Sequence, residues 1–454
     1  MKLRRKQGLT TTQIIAFGFL GAILIGMVLL MLPVSSADGT WTAPLDALFS
    51  AATSVCVTGL TTLSTANHWS LFGQVVILIL IQFGGLGIVT FSTAALLMAG
   101  RYITLKDRLL IRDAYNLDNL NGLVKLTIRI IKGTLIVEGI GAVLYMMVFV
   151  EDYGYDGVFY ALFNSVSAFC NAGMDLLGDT SLSIYRDNIA VNAITSMLII
   201  LGGIGFPVWW DIIETFGDKS RGSITKMWRR LQLHTKIVIC TTLILLVAGT
   251  AIIFILEYSN PETLGGMPAG NKVQAAFFQS VTTRTAGFYT IPQENFTNAT
   301  AFLSMLLMFI GGSPSGTAGG VKTVTIAMII LTAVSIIKNR QDTEAFGRSI
   351  SPDNVRKGIA VFVVSMSVLI IAIFALCITE RRDFADICYE AVSAIGTVGL
   401  TRGLTGELSI AGKVIIIITM YIGRIGPISL ALFFNTNSHK GVKRRYPAAR
   451  VRVG

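Results

Sequence analysis

Charge is scarce in this chain. Asp, Glu, Lys and Arg make up 14% of its 454 residues, where an ordinary soluble domain carries about a quarter. Histidine is scarcer still: His68, His234 and His439 are the only three, all near the edges of apolar runs. A membrane enzyme needs convergent acid, base or nucleophile groups, and three scattered histidines do not supply them, so that class is set aside. The five cysteines, Cys56, Cys170, Cys240, Cys377 and Cys388, are odd in number and show no paired spacing. They indicate neither a disulfide framework nor a zinc site and read as packing residues. Acid is short relative to base, giving a net charge of +11. A nucleic-acid partner is nevertheless excluded, because no recognition fold has room here; anionic headgroups and membrane topology account for basic clusters at span ends.

Apolar residues are what the chain has, at 53% with a mean hydropathy of +0.67. Eight stretches are long enough to cross a hydrocarbon core, which takes about 20 helical residues. They lie at roughly 12–34, 72–99, 126–150, 189–216, 235–257, 300–337 with an interruption, 358–379 and 411–435. The first is too long, and lacks the small-residue cleavage pattern, for a removed signal peptide. Within each successive pair lies a shorter apolar stretch of about 10–13 residues, too short to span.

Those shorter stretches end alike: ALFSAATSVCVTGL, ALFNSVSAFCNAGM, AAFFQSVTTRTAGF and ICYEAVSAIGTVGL. Their glycines Gly59, Gly173, Gly287 and Gly399 are 114, 114 and 112 residues apart, and ten residues before each stands Phe49, Phe163, Phe277 or Tyr389. The expected fold is therefore an all-α membrane protein of four units in one orientation, each a span, a pore helix, a filter loop and a span. Eight transmembrane helices and four re-entrant loops would surround one pseudo-fourfold pore. The units fall at 1–104, 105–221, 222–345 and 346–438, followed by a basic tail at 439–454. Lysines and arginines cluster at 2–6, 101–112, 219–230, 338–357 and 440–452. Span counting puts all of these on one side, which the positive-inside rule makes cytoplasmic, along with both termini. The short helices then enter from outside, where acids such as Asp38, Asp46, Glu151, Asp156, Asp179 and Glu294 modestly concentrate cations.

Carrying a small ion into a medium of low dielectric costs on the order of 20 kcal/mol unless its hydration shell is replaced. Rings of inward-turned main-chain carbonyls replace it without a trapping charge, as in potassium filters. Glycine permits the positive φ such turns require. The candidate filter is Val57, Thr58 and Gly59; Asn171, Ala172 and Gly173; Thr285, Ala286 and Gly287; and Thr397, Val398 and Gly399. Glycine alone is common to all four, as a backbone-ligand mechanism requires, with potassium held by main-chain carbonyls. Each short helix would also aim the negative end of its dipole at the pore.

About 25 residues beyond each glycine stand GGLGIVTF, GGIGFPVWW, GGSPSGTAGG and GRIGPIS. The first two read as close packing between helices. The third, Gly311, Gly312, Ser313, Pro314, Ser315, Gly316, Thr317, Ala318, Gly319 and Gly320, cannot hold a regular helix, yet it falls at membrane depth. Irregular backbone is tolerated there only inside protein or along a watery cavity, so 311–320 is a candidate gate, a flexible loop below the filter. It is no phosphate loop, since Lys322-Thr323 follows Val321 and no strand precedes it. In the fourth copy Arg424 lies deep in a span, where a cation costs at least about 2.5–3.5 kcal/mol. It is read as an electrostatic barrier under the filter, hydrogen-bonded to the 311–320 loop, or as a tie between helices. Glu138 and Asp211 read as hydrogen-bonding links between helices.

These residues resemble one family along essentially the whole chain: the bacterial Ktr/Trk potassium transporters, relatives of plant HKT proteins, and most nearly the Ktr-type membrane subunit. The four filters, QFGGLG, ILGGIGF, LHTK at 233–236, FILEYSNP at 254–261, RTAGF, GGSPSGTAGG and IGRIGP carry the resemblance. The chain starts directly at the first unit's span, without the extra leading helices of Trk-type members. The resemblance implies a single-chain counterpart of a tetrameric potassium channel in a bacterial plasma membrane. It also implies a homodimer and a separate cytosolic ring of nucleotide-binding regulatory subunits. No cofactor is implied for this chain; potassium is the substrate, with sodium as activator or coupling ion left open. In the family the loop matching 311–320 and the arginine matching Arg424 restrict the pore, and serine at the first filter glycine accompanies sodium permeation. Gly59 argues for potassium. Cys56 and Met174 depart from the usual filter flanks, with little consequence where ligands are main-chain carbonyls. The rival function is a sodium-coupled or sodium-conducting transporter, which binds ions at broken helices of inverted repeats, whereas these units run in one orientation.

Overall fold

The computed structural model describes residues 10–87, 89–91, 93, 96, 103, 123–217 and 224–426. The basic clusters at 2–6, most of 101–112 and 440–452 lie outside the described residues, as do much of 88–99 and all of 427–454. Helix α1 (Thr11–Met31) opens on a capping box, in which Thr10 and Gln13 each accept the other's backbone N–H through the side chain. It is followed by the short α2 (Pro44–Cys56) and by α3 (Leu71–Leu86). The same order recurs three times. Helix α4 (Leu123–Tyr153) leads to α5 (Asp156–Cys170) and α6 (Ile189–Ile204), and α9 (Leu233–Glu257) to α10 (Ala269–Thr282) and α11 (Asn298–Phe309). Helix α13 (Pro352–Thr379) leads to α14 (Phe384–Gly396) and α15 (Ile410–Ile425). Between these stand α7 (Phe206–Gly217), α8 (Ile224–Arg230) and α12 (Thr323–Ile337). Two two-residue strands, Glu344–Ala345 and Arg348–Ser349, pair around a Phe346-Gly347 turn.

Four of these helices are long and apolar enough to cross a membrane: α1, α4, α9 and α13. Their apolar side chains stay exposed, as with Ile25, Val247 and Phe374, which makes them a lipid-facing perimeter. The interruption expected in 300–337 is present, and among the described residues the stretches expected at 72–99, 189–216 and 411–435 are broken as well. The second member of each unit is shorter, and α3, α6 and α15 have 16 residues each, about 24 Å of helix against a core of about 30 Å. Each stops at a glycine in left-handed backbone, Gly87 at φ 80°, Gly205 at φ 95° and Gly426 at φ 92°. After Gly205 the chain turns by 96° into α7. In the third unit the break is the stretch from Ile310 to Lys322, between α11 and α12.

The short helices α2, α5, α10 and α14 occupy the interior. Their C-terminal halves are buried all round in α2, α5 and α14, as with Phe49 to Cys56, and in α10 all but Phe277, which marks core elements rather than amphipathic ones. Asp46, Asp156 and Asp386 sit in the first turns of α2, α5 and α14, where a negative charge stabilises the helix dipole. Helix α3 packs on α2 and on the next unit's α5; α6 packs on α5 and α10. Helix α11 packs on α14, and α15 packs on α14 and back on α2.

Candidate functional site: four glycine turns and the loop beneath them

Helices α2, α5 and α14 end in the same way. Val57, Asn171 and Thr397 follow the last helical residue with φ of 55°, 59° and 50°. Their N–H groups bond back to Ser54, Ala168 and Ala394 carbonyls at 3.1–3.2 Å. The next N–H groups, of Thr58, Ala172 and Val398, reach Thr53, Ser167 and Ser393 carbonyls at 2.8–2.9 Å. This is a Schellman closure with non-glycine residues in the left-handed position. Hydroxyls of the last helical turn then hold the emerging chain: Gly59 N–H donates to Thr53 Oγ1 at 3.0 Å, Met174 N–H to Ser167 Oγ at 3.1 Å and Gly399 N–H to Ser393 Oγ at 3.0 Å.

The third turn is one residue tighter. Helix α10 stops at Thr282, and the left-handed residue is Thr285 at φ 70°. The matched 114-residue spacing of the glycines conceals this. Phe49, Phe163 and Tyr389 are buried, but their counterpart in α10 is the fully buried Phe278, while Phe277 is 38% exposed. The expected aromatic at position 277 is therefore corrected to 278. Thr282 takes the hydroxyl role by donating to the Phe288 carbonyl.

The four glycines all have positive φ, at 93°, 66°, 82° and 95° for Gly59, Gly173, Gly287 and Gly399, and they meet one another in cyclic order. A Cβ on Gly59 would stand 2.5 Å from the Ala172 carbonyl oxygen, and one on Gly173 would stand 2.7 Å from that of Ala286. On Gly287 it would lie 2.4 Å from the Val398 oxygen, and on Gly399 2.2 Å from that of Thr58. Each glycine thus faces the carbonyl that precedes the next unit's glycine, and the fourth faces the first. No side chain fits at any of the four. Below the glycines the side chains of Asn171 and Thr285 meet, Nδ2 donating to Oγ1 at 3.4 Å. Thr58 Oγ1, Asn171 Oδ1 and Thr397 Oγ1 are buried without a protein partner among the described residues.

Above the ring opens a cavity of about 280 Å3 lined by all four glycines, hydroxyls including Ser181, Thr401 and Thr405, and two carboxylates, Asp175 and Asp179. Asp175 was not singled out in the sequence, since it stands among other loop acids. It is 7% exposed and accepts from Leu177 N–H at 3.1 Å and Ser181 Oγ at 2.8 Å. Burial pushes its carboxyl up to about 6 against these two bonds. Of the loop acids expected to concentrate cations, Asp46 is paired with Lys413 Nζ at 2.7 Å, whereas Asp179 accepts from the neutral Asn67 Nδ2 at 3.1 Å.

Beneath the ring the paired glycines lie against the ends of the short helices. A Cβ on Gly84, Gly202 or Gly423 would stand 2.1, 1.9 or 2.3 Å from the carbonyl oxygens of Val55, Phe169 and Ile395. The 311–320 segment is irregular and largely buried, and it is laced to its surroundings. Ser313 and Thr317 N–H donate to Gly203 and Gly202 carbonyls at 2.8 and 3.1 Å, and Phe206 N–H donates to Ser315 O at 3.0 Å. Thr317 Oγ1 donates to Phe169 O at 2.9 Å. Lys322, noted in the sequence only to reject a phosphate loop, closes the segment with Nζ on the Ala318 and Gly319 carbonyls at 2.7 and 3.2 Å. Arg424 donates to Thr317 O at 2.5 Å, to Gly84 O, and to Gly85 O at 3.3 Å. One guanidinium therefore joins the loop of the third unit to the break of the first. Glu138 accepts from Gln82 Nε2 at 3.0 Å, and Asp211 from Gln232 N–H at 2.9 Å.

Residues 9–443 match the family model described as TrkH, cation transport protein. The chain is 40% identical to "Ktr system potassium uptake protein B" of Bacillus subtilis over 447 residues, covering 98% of this chain and 97% of the relative. It is 38% identical to "Potassium/sodium uptake protein NtpJ" of Enterococcus hirae, covering 100% and 99%. The crystal structure of the transporter TrkH from Vibrio parahaemolyticus superposes with a TM-score of 0.71 at 19% identity, over 96% of this chain and 86% of that one, which shows a common fold. With its apolar membrane-crossing helices, the chain belongs to the TrkH/Ktr family of cation transport proteins, and it is a membrane transporter rather than an enzyme.

Proposed function

We propose that this chain is a gated, potassium-selective uptake pore of a bacterial plasma membrane, in which four pseudo-fourfold units each supply one filter segment. The observation that carries the reading is the cyclic contact of Gly59, Gly173, Gly287 and Gly399 with the Ala172, Ala286, Val398 and Thr58 carbonyls. A closed set of backbone oxygens with no room for side chains is what dehydrating a potassium ion calls for. The short helices aim the negative ends of their dipoles at the same place. The loop 311–320, clamped by Arg424 under this ring, is the gate. Arg424 adds a positive charge on the route, so conduction requires the loop and the guanidinium to shift together. Flow is downhill for the ion, driven by about 2.3 kcal/mol per charge per 100 mV of membrane potential.

The partners implied by the resemblance, a second copy of the chain and a separate cytosolic nucleotide-binding ring, belong to this reading, which the Ktr-system name of the Bacillus subtilis relative supports. The test is uptake into liposomes holding the purified protein. Rubidium or potassium accumulation that runs down the imposed potential, and persists when sodium is absent from both sides, is the expected result. Accumulation that stops without sodium and is matched by sodium entry would replace it with the sodium-coupled reading.

A further inference from the structure

The residue after the buried aromatic of each short helix is polar and buried in all four units: Ser50, Asn164, Gln279 and Glu390, at 4%, 1%, 2% and 0% exposure. Glu390 is the one ionisable member. Its carboxylate accepts from Thr401 Oγ1 at 2.7 Å and from Thr405 Oγ1. Both threonines lie on the segment that leaves Gly399, and both line the outer cavity. The nearby cation is engaged elsewhere, with Arg402 Nε on Asp386 Oδ1 at 2.8 Å. The third unit has a neutral version of the same strut. Gln279 exchanges hydrogen bonds with Gln293 at 2.7 and 3.2 Å, and Gln293, like Thr405, is six residues past its unit's glycine. Tyr389 links the two struts by donating to Gln293 Oε1 at 2.9 Å. In the second unit neither polar atom of Asn164 has a partner among the described residues.

We propose that Glu390 is a positioning residue for ion selection: by accepting two hydroxyls it braces the arm from Gly399 to Thr405 and so fixes the Val398 and Gly399 carbonyls from behind. The brace rests on the filter reading above. Two hydrogen bonds, from the Thr401 and Thr405 hydroxyls to the buried Glu390 carboxyl, hold this arm, and a carbonyl free to move follows sodium as readily as potassium.

The test is the potassium-to-sodium flux ratio of proteoliposomes, with the concentration dependence of flux, for Glu390→Ala, Glu390→Gln, Thr401→Val and Gly59→Ser. Glu390→Ala should lower the ratio about tenfold, because both hydroxyl bonds to the carboxyl go, each worth roughly a factor of three. Glu390→Gln, which still accepts one hydroxyl and donates to the other, should restore most of it, with Thr401→Val in between. A wild-type ratio in Glu390→Ala overturns the proposal, as does equal loss of maximal flux in Ala and Gln variants with the ratio unchanged. If Glu390→Ala fails to assemble, Thr401→Val decides, and an unchanged ratio there counts against the brace. Should Gly59→Ser lower the ratio while Glu390→Ala does not, the brace is wrong and the filter stands. Should neither lower it, the filter reading falls and takes the brace with it.

Discussion

Val57, Thr285 and Thr397 are β-branched residues in left-handed backbone, a conformation that costs an L-residue about 1–2 kcal/mol. Such strain persists where the surroundings over-determine it, and it concentrates at functional sites. At Val57 and Thr397 the Schellman bonds and the Thr53 and Ser393 hydroxyls supply that constraint, and at Thr285 the bonds of Ala286 N–H to Thr282 O and of Thr282 Oγ1 to Phe288 O do. The glycines two residues later were legible in the sequence because they recur. Their left-handed neighbours were not, because valine, asparagine and threonine give no sign of it. The shift in the third turn was hidden for a similar reason, since equal glycine spacing masks one residue lost before it. Phe278→Ala should therefore cost about 3–5 kcal/mol of stability, whereas Phe277→Ala should cost less than about 1 kcal/mol; thermal unfolding in detergent distinguishes them. Asp175 yields a pH prediction. Burial pushes its carboxyl up to about 6, so its loss of charge falls between pH 7 and 5, and with the cavity facing outward as proposed the mouth attracts cations less as external pH falls across that range. Apparent potassium affinity should drop about fivefold over that range, the effect of one charge worth of order 1 kcal/mol. Initial uptake rates against external pH check this, and Asp175→Asn should flatten the profile at the weaker affinity.

At the scale of elements, the apolar runs announced eight membrane segments, but only the third break among the second members was legible. Gly311 to Gly320 holds too much glycine, serine and proline for a helix. In α3, α6 and α15 a single left-handed glycine does the same work. The preceding double glycines read equally well as packing, and Gly84 and Gly202 do lie against carbonyls of short helices. Sequence also gave no sign of how firmly the 311–320 segment is tied down; its partners Gly202, Gly203, Phe169 and Arg424 come from other units. Removing part of 312–319 should raise potassium flux at unchanged expression, and flux equal to wild type would reduce the segment to a packing feature. Arg424→Ala removes three donor contacts and, on the proposed route, a positive charge. It should raise flux while lowering thermal stability by about 1–3 kcal/mol. Rubidium uptake and unfolding temperature, measured on the same preparation, test both halves.

For the whole molecule, poverty of charge and the long apolar runs were enough to anticipate a helical membrane protein. The contacts among α2, α3, α5, α6, α10, α11, α14 and α15 follow from that plan, because each buried short helix needs apolar cover on both sides and its neighbours supply it. What sequence left open is which carbonyl each glycine of the expected ring faces. Gly399 and Thr58 are 341 residues apart in the chain, yet a Cβ on one would stand 2.2 Å from the carbonyl of the other. Equivalence around this ring is the central claim, and the first glycine probes it. A serine at Gly59, at φ 93° and with its Cβ 2.5 Å from the Ala172 oxygen, must displace a carbonyl of the neighbouring unit. The deciding measurement is the potassium-to-sodium permeability ratio of the reconstituted protein with and without Gly59→Ser. A ratio well above one that the substitution brings toward one is the predicted result; a ratio that the substitution leaves untouched would make the glycines architecture and place the ion route elsewhere.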